Sequence, residues 1–144
     1  MNEETLKTNA GSQPSKRYYN NKWFKESDSG ISLVGGKCKL CGMNFFPHRN
    51  LCIRCHGGEV EEFELGKRGR LFTFTRVFIP SKNFGPPYVV GYIDLLEGIR
   101  IFSQIKDWEK VDLKIGMEME MIVDTLWGTS DGTMIIGYKF VPIG

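Results

Sequence analysis

Two pairs of cysteines, each with two residues between its members, constrain this sequence more than any other feature. The pairs are Cys38 with Cys41 and Cys52 with Cys55, and the 144-residue chain has no other cysteine. Two such pairs are typical of one tetrahedral metal site with four thiolate ligands. Four thiolates leave no open coordination position for a substrate. The pattern therefore predicts one structural zinc ion per chain, held by all four cysteines.

The residues around the pairs predict the local fold. Gly42 and Gly57 follow the second cysteine of each pair, where the chain must turn tightly behind the metal. The ten residues between the pairs favour a compact, rubredoxin-like ribbon. The preceding Gly35-Gly36 is interpreted as the opening turn of that ribbon, and His48 and His56 as neighbours of the ligands. Iron in the same cage and a redox-active dithiol remain alternatives.

Composition limits the partners and the compartment. The chain carries a net charge of +2, with 12 Lys and Arg against 8 Asp and Glu in residues 1–70 and 7 against 9 in the rest. A dedicated nucleic-acid binder usually has a stronger basic patch, so nucleic acid is not the expected partner. No run of about 18 apolar residues is present to span a membrane. Paired cysteines used for metal are typical of a reducing compartment, so we expect a cytoplasmic protein.

The segment before the cysteines divides into two parts. Residues 1–14 are polar without an apolar period, which predicts a disordered tail. Residues 15–30 place aromatic residues near helical spacing and end at a polar turn, which predicts a short N-terminal helix. The aromatic face of this helix would either pack on the following domain or dock on a partner.

The chain after the ribbon alternates like a series of β-strands. The predicted strands are Leu71–Ile79, Tyr88–Asp94, Ile99–Ile105, Met117–Val123 and Thr133–Val141. Three strands, a connector and two strands is the order of a five-stranded OB-fold barrel, with an SH3-like barrel or a sandwich fragment as the alternative. The predicted organisation is a tail at 1–14, a helix at 15–30, a zinc ribbon at 31–66 and an OB-fold domain at 67–144.

The sequence offers little for catalysis by this chain alone. Acyl transfer needs a free thiolate or an activated hydroxyl with a base beside it. All four cysteines are assigned to metal, and the only two histidines lie in the ribbon. We therefore predict no catalytic residue in this chain.

Several motifs together resemble a known family: acyl-CoA-associated proteins with an N-terminal helix, a rubredoxin-like zinc ribbon and a C-terminal OB fold. The resemblance covers about residues 18–142. It rests on Trp23-Phe24, on the cysteine-containing segment 38–55, on the strand that starts at Gly69-Arg70, on residues 86–94 and on Leu113-Lys-Ile-Gly-Met117. The chain has His48 where relatives often have a second proline after Pro47, which leaves the metal assignment unchanged.

The resemblance implies a function that the residues by themselves do not. Family members are similar to small accessory subunits that dock on thiolases and related acyl-CoA enzymes through helix and ribbon. It implies a hetero-oligomer with a thiolase-like catalytic subunit, in which this chain is a required part of an acyltransferase and coenzyme A or acyl-CoA is a shared ligand. Among members, the likeness is greatest to the small subunits of the thiolases of anaerobic toluene degradation, which implies benzoylsuccinyl-CoA as substrate.

Two sets of residues are candidates for these contacts. The set predicted to help bind coenzyme A provides cations and aromatic faces near one strand end, and consists of Arg76, Lys82, Phe84, Pro86, Pro87 and Tyr88. The set predicted to contact the partner consists of Tyr18, Tyr19, Trp23, Phe24, Phe45, Phe46 and Trp127. Other functions remain open: single-stranded nucleic-acid binding, a self-sufficient hydratase or transferase, and an iron-containing electron carrier.

Overall fold

The computed structural model describes residues 15–28 and 30–143, and these form an almost purely β structure. Two 3-10 helices, at Asn21–Trp23 and Trp108–Lys110, are the only helices in these ranges, and neither is long or apolar enough to cross a membrane. The predicted tail at 1–14 lies outside the described residues. The ten strands are β1 (Lys16–Tyr18), β2 (Phe24–Ser27), β3 (Gly30–Cys38), β4 (Asn44–Phe45), β5 (Val60–Glu64), β6 (Arg68–Val77), β7 (Tyr88–Leu95), β8 (Arg100–Ile105), β9 (Glu118–Gly128) and β10 (Met134–Pro142).

Strands β6 to β10 close into a five-stranded barrel. Antiparallel pairs join β6 to β7, β7 to β8, β9 to β10 and β6 to β9. The barrel closes where β8 and β10 run parallel, with Ile105 opposite Phe140 and the Lys106 amide donating to the Phe140 carbonyl at 2.9 Å. This pairing is that of an OB fold, so the OB-fold prediction is confirmed and the SH3-like alternative is wrong.

The barrel core follows from the alternation along each strand. In β9, Met119 and Met121 are buried and Glu118 is exposed, because successive side chains of a strand point to opposite faces. Leu33 of β3 belongs to the same buried cluster, which ties the ribbon to the barrel. The fully buried members of the cluster with the largest side chains are Phe140, Leu33, Leu71, Ile93, Ile105, Met119 and Val89.

The predicted N-terminal helix over 15–30 is wrong. The segment forms β1, which runs parallel to β10 with Lys16 opposite Met134, then a single 3-10 turn, then β2. Asn20 caps the turn by accepting a hydrogen bond from the Lys22 amide at 3.0 Å. The aromatic spacing was compatible with a helix, but pairing with a strand more than 100 residues away satisfies the backbone of β1 instead.

The ribbon is a small sheet in which β3 is central. Strand β3 pairs with β2, β4 and β5, all antiparallel. Gly35 and Gly36 lie within this strand and form no opening turn, contrary to the sequence-based interpretation. A side-chain carbon at Gly36 would lie 2.7 Å from the Phe45 ring, so glycine is needed there for close packing.

Hydrogen bonds to Glu97 also join the ribbon to the barrel. The Asn44 side-chain amide donates to the Glu97 backbone carbonyl at 3.0 Å, and the Glu97 carboxylate accepts the Gly66 amide at 2.6 Å. Asn44 belongs to β4 of the ribbon, Gly66 to the connection, and Glu97 to the β7–β8 turn. These hydrogen bonds fix the direction in which the chain leaves the ribbon.

Candidate functional site

The four cysteine sulfur atoms converge at one end of the ribbon. All four lie within 4.8 Å of one another, and the Cys38–Cys55 and Cys41–Cys52 sulfur pairs are each 3.6 Å apart. A tetrahedral zinc ion with Zn–S bonds of about 2.3 Å places its sulfur ligands about 3.8 Å apart. No disulfide joins these cysteines. The sulfur positions therefore fit a single tetrahedral metal ion.

Two similar turns hold the thiols in place. The Gly42 amide donates to the Cys38 carbonyl at 2.9 Å, and the His56 amide donates to the Cys52 carbonyl at 3.1 Å. Gly42 has φ +78°, a conformation in which glycine carries no side-chain penalty. Backbone amides also point at sulfur, from Cys41 to Cys38 at 3.4 Å and from Cys55 to Cys52 at 3.5 Å. Such donors favour thiolates, the form that binds metal.

The cysteine thiols differ in how readily they lose their protons. Hydrogen bonding from the Met43 backbone and from Arg54 lowers the pKa of the Cys41 thiol to about 6. The Gly57 backbone amide favours the Cys55 thiolate, yet the Cys38 sulfur and burial outweigh it and raise the pKa of Cys55 to about 11. Hydrogen bonding from the Cys55 backbone amide lowers the pKa of the Cys52 thiol as well. A divalent cation would allow all four thiolates to exist together.

The two histidines do not join the thiols. Within the described residues, the only cluster of His, Cys, Asp or Glu side chains suited to a metal ion contains the four cysteines alone. His56 has φ +64° in the turn after Cys55, and His48 lines a cleft with Trp23 and Arg49. The donor set is therefore sulfur only.

A row of aromatic rings connects the two predicted contact sets. The row, called here the aromatic seam, consists of Tyr88, Phe84, Trp127, Tyr19 and Trp23. Consecutive ring centroids are separated by 5.6 Å, 5.7 Å, 5.9 Å and 5.5 Å. Its members come from the β6–β7 loop, β7, β9 and the segment after β1. Residues distant in sequence thus form one surface, on which Tyr19 is 56% exposed.

The remaining residues of the predicted partner set differ in their exposure. Phe46 packs on Trp23 with centroids 5.6 Å apart, and Tyr18 stacks on Phe24 at 4.7 Å. Phe45 is only 3% exposed in the ribbon core, so its ring offers no surface to a partner. Trp127 lies within β9, whereas the sequence placed it on the following loop.

The residues predicted to bind coenzyme A are only partly brought together. Phe84 and Tyr88 join in the seam, but the Arg76 guanidinium stacks on the Trp108 ring at 4.7 Å. Lys82, Pro86 and Pro87 are exposed in the β6–β7 loop. The structure therefore supports a loop surface with two aromatic rings and leaves the cationic part of the predicted site dispersed.

Comparison with known proteins identifies the family of this architecture. Residues 31–61 match the family model described as the ChsH2 rubredoxin-like zinc ribbon domain, and residues 62–124 match that of the ChsH2 C-terminal OB-fold domain. A DUF35 domain-containing scaffold protein of Methanocaldococcus jannaschii is 39% identical over 115 residues, which cover 77% of this chain and 82% of that protein. The chain belongs to the ChsH2-type, or DUF35, family.

Other DUF35 relatives have more specific names. The benzoylsuccinyl-CoA thiolase subunit BbsA of Thauera aromatica is 39% identical over 111 residues, covering 77% of this chain and 76% of that protein. Among solved structures, the Ltp2-ChsH2(DUF35) aldolase has a TM-score of 0.64 at 21% identity and covers 77% of this chain and 84% of that chain. The structural likeness supports the fold.

Sequence reasoning missed an exposed aromatic face on this DUF35 barrel. Phe72, Tyr92 and Phe102 stand on the outside of β6, β7 and β8, with the Tyr92 and Phe102 centroids 5.2 Å apart. The Arg100 guanidinium lies 3.4 Å from the Phe72 centroid. Alternation within each predicted strand would have identified Tyr92 and Phe102 as outward-facing.

Proposed function

We propose that this chain is a non-catalytic, zinc-binding subunit of a thiolase-type acyl-CoA enzyme complex, and that it docks on the catalytic subunit. The observation that carries the proposal is the 39% identity to a benzoylsuccinyl-CoA thiolase subunit across 76% of that protein. The converging cysteine sulfurs support it, because the thiols that acyl transfer would require face a metal site instead.

The metal would be zinc with a structural role. Cys38, Cys41, Cys52 and Cys55 would hold it, and four thiolates would exclude a substrate from its coordination sphere. Zinc and iron are distinguished by metal analysis and by visible absorption of the purified protein, since zinc has no redox chemistry. Strong visible absorption together with stoichiometric iron would contradict the subunit proposal and favour an electron carrier.

The aromatic seam is the proposed shared surface for partner and coenzyme A. Aromatic rings with exposed faces are enriched at protein interfaces, and they also stack on adenine. Phe84 and Tyr88 bring the β6–β7 loop against Trp127, while Tyr19 and Trp23 extend the same row toward the ribbon. A catalytic subunit that covers the seam would therefore also contact the β6–β7 loop, which is proposed to bind the thioester ligand. The proposed substrate is benzoylsuccinyl-CoA.

The test is co-expression of this chain with a candidate thiolase-like protein from the same genome, purification through a tag on this chain, and assay of coenzyme A-dependent thiolysis. We expect a stable complex whose activity requires both chains. Its activity on benzoylsuccinyl-CoA should exceed its activity on unbranched 3-oxoacyl-CoA. Recovery of this chain alone would contradict the proposal.

Loop variants test whether the seam contacts coenzyme A. Phe84→Ala and Tyr88→Ala remove seam rings, and Ile79→Ala is the control because Ile79 is an exposed apolar residue of the same loop outside the seam. We expect the seam variants to raise the KM for coenzyme A several-fold relative to the control. If all three variants have the same KM for coenzyme A as the unaltered protein, the loop does not bind this ligand.

Single-stranded nucleic-acid binding is the second candidate, favoured by one observation. The exposed rings Tyr92 and Phe102 occupy the barrel face that OB folds use for oligonucleotides. However, each arginine nearby has a carboxylate within reach, in the pairs Arg68–Glu120, Arg70–Glu118 and Arg100–Asp94. Few cations are left for phosphates, so we expect weak or no binding in an oligonucleotide titration at about 0.15 M salt.

A further inference from the structure

A cleft of about 690 Å³ lies where the 3-10 turn after β1 meets the ribbon. Lys22 and Trp23 of the turn line it on the N-terminal side. The segment 47–49, between the two cysteine pairs, and buried Val34 of β3 complete its lining from the ribbon. The volume lies within the range of about 300–1,000 Å³ that is usual for ligand sites. The cleft is therefore large enough for a small organic ligand.

Cations predominate around this cleft. Lys22, Lys25 and Arg49 line it, and Glu62 is the only acidic residue among the described residues of the lining. Lys25 has the Glu64 carboxylate at 3.9 Å. In the described part of the chain, no carboxylate forms an ion pair with Lys22 or Arg49. These two exposed cations are therefore available to an anion.

The arginines of the barrel are engaged differently. Arg68, Arg70 and Arg100 each have a carboxylate within 4.0 Å. The Arg76 guanidinium, at the end of β6, stacks on the Trp108 ring. Recognition of a phosphate needs cationic donors that are not already paired, because charge-assisted hydrogen bonds to its oxygens supply the affinity. The cleft is thus better suited to phosphate groups than the exposed barrel face.

The cleft also offers a ring and a further hydrogen-bond donor. Trp23 is half-buried and lines it, next to His48. An imidazole carries at least one N–H donor in either protonation state. Aromatic side chains stack on nucleobases of any sequence, because every base has a π-face. An indole ring beside unpaired cations is the combination that a phosphorylated nucleotide requires.

The cleft is continuous with the aromatic seam, because Trp23 belongs to both. Tyr19 lies next to Trp23 with ring centroids 5.5 Å apart, and Trp127 lies 5.9 Å from Tyr19. From there the seam continues to Phe84 and Tyr88 at the β6–β7 loop. Coenzyme A has its phosphates at the nucleotide end and a long, uncharged pantetheine arm at the other. A molecule held by its phosphates in the cleft can extend this arm along the rings.

We propose that this cleft binds the nucleotide end of coenzyme A, with Lys22 and Arg49 at the phosphate groups and Trp23 beside the adenine. His48 donates a further hydrogen bond to a phosphate oxygen. The inference rests on the proposed function, in which coenzyme A is a ligand of the seam. It assigns the phosphate contacts to the turn after β1 and to the ribbon, and the β6–β7 loop keeps the pantetheine arm.

Isothermal titration calorimetry of the purified full chain, without a partner, tests this assignment. The probes are coenzyme A and dephospho-coenzyme A, which lacks the 3′-phosphate. We expect coenzyme A to bind about tenfold more tightly than dephospho-coenzyme A, because the second probe loses charge-assisted hydrogen bonds. Equal affinities, or no binding of coenzyme A to the free chain, overturn this inference. Neither result affects the subunit function, which co-purification with the partner tests separately.

A pair of double variants tests the named cations. Lys22→Ala with Arg49→Ala removes the unpaired cations of the cleft. The control, Lys110→Ala with Lys114→Ala, removes the same formal charge from exposed positions of the β8–β9 connector, outside the cleft. We expect the cleft variant to bind coenzyme A about tenfold more weakly and the control to change affinity less than about twofold. Equal affinities for the two variants overturn the proposal.

A competing ligand class is tested with the same protein. A single-stranded oligonucleotide is titrated into the unaltered chain at about 0.15 M salt, where binding that depends only on phosphate charge is weakened. We expect coenzyme A to bind more tightly than the oligonucleotide. Tighter binding of the oligonucleotide, lost in the Lys22→Ala and Arg49→Ala variant, overturns the choice of ligand.

Discussion

The ribbon and the barrel of this DUF35 protein are stabilised in different ways. Among the described residues, the buried cluster of the ribbon contains only Cys38, Phe45 and Cys52, with Cys41, Met43 and Val60 partly buried around it. The barrel cluster, counted over the same part of the chain, contains twelve buried residues, among them Leu33 contributed by the ribbon strand β3. A region with so little apolar burial needs a metal to hold its fold, whereas the barrel can rely on its core. The comparison predicts that the two regions can be destabilised separately.

The largest expected effect comes from removing one metal ligand. Cys52→Ser should abolish stoichiometric zinc binding and unfold the ribbon, because structural zinc contributes about 10–16 kcal/mol of folding-linked binding energy. Metal analysis and hydrogen–deuterium exchange measure this, with faster exchange expected over residues 36–60 and little change in β7 and β8. Leu51→Ser, at an exposed neighbouring position, is the control. If the ribbon of Cys52→Ser stays folded without metal, the ribbon does not depend on metal for its stability.

The second effect addresses the barrel. Phe140 has no exposed surface and packs among Tyr138 and the central cluster. Phe140→Ala should cost about 3–5 kcal/mol of unfolding free energy, since it removes a buried ring and leaves a cavity. Chemical denaturation followed by circular dichroism measures the loss. Zinc content should stay near one per chain in the folded fraction; loss of zinc under native conditions would mean that the ribbon depends on the barrel.

The connection between the regions should matter less than either core. Glu97→Gln weakens the acceptor of the Gly66 amide, and Asn44→Ala removes the donor to the Glu97 carbonyl. Each change should cost about 1 kcal/mol, the usual net contribution of one hydrogen bond. A double-mutant cycle between them, measured by denaturation, should show coupling because both contacts converge on Glu97. Additive effects would indicate that the two contacts act independently.

The smallest expected effect is electrostatic and depends on pH. Burial disfavours the charge of Asp124, but hydrogen bonds from Lys139 and Lys106 outweigh it and lower the pKa of this carboxyl. A carboxyl with a lowered folded-state pKa adds stability above its unfolded pKa, and this stability is lost as pH falls through the folded value. Asp124→Asn should therefore cost about 1 kcal/mol near pH 7. The difference from the unaltered protein should start to shrink as the pH falls below about 4, the ordinary value for an Asp carboxyl, and continue to shrink toward the lower folded-state pKa. A difference that stays constant with pH would show that packing is responsible.

Local patterns determined most of the architecture. The predicted strand that starts at Tyr88 coincides with β7 at its beginning, and the alternation of Met119 with Glu118 identified the buried face of β9. These features depend on residues close together in the chain, where periodicity 2 is a sufficient signal. The cysteine spacing likewise predicted a cluster of four sulfurs that the structure brings within 4.8 Å.

The errors arose where distant strands compete with local spacing. Lys16–Tyr18 and Phe24–Ser27 form β1 and β2 because β10 and β3 supply backbone partners, and no local pattern shows this. Gly35-Gly36 resembled a turn, but the Phe45 ring that requires glycine there comes from another strand. The residue set proposed for coenzyme A stays a prediction, and within it the Arg76 guanidinium stacks on the Trp108 ring, a contact that no local pattern shows.

By itself, the sequence indicated the four-cysteine cluster, the number of barrel strands and their order along the chain, because spacing and alternation are properties of neighbouring residues. Only the tertiary structure decided the parallel closure of β8 on β10 and the aromatic seam. Each of these joins residues from separate strands, and their meeting depends on which backbone edges pair and which stay uncovered. The surfaces proposed for partner and ligand therefore arise from strand pairing.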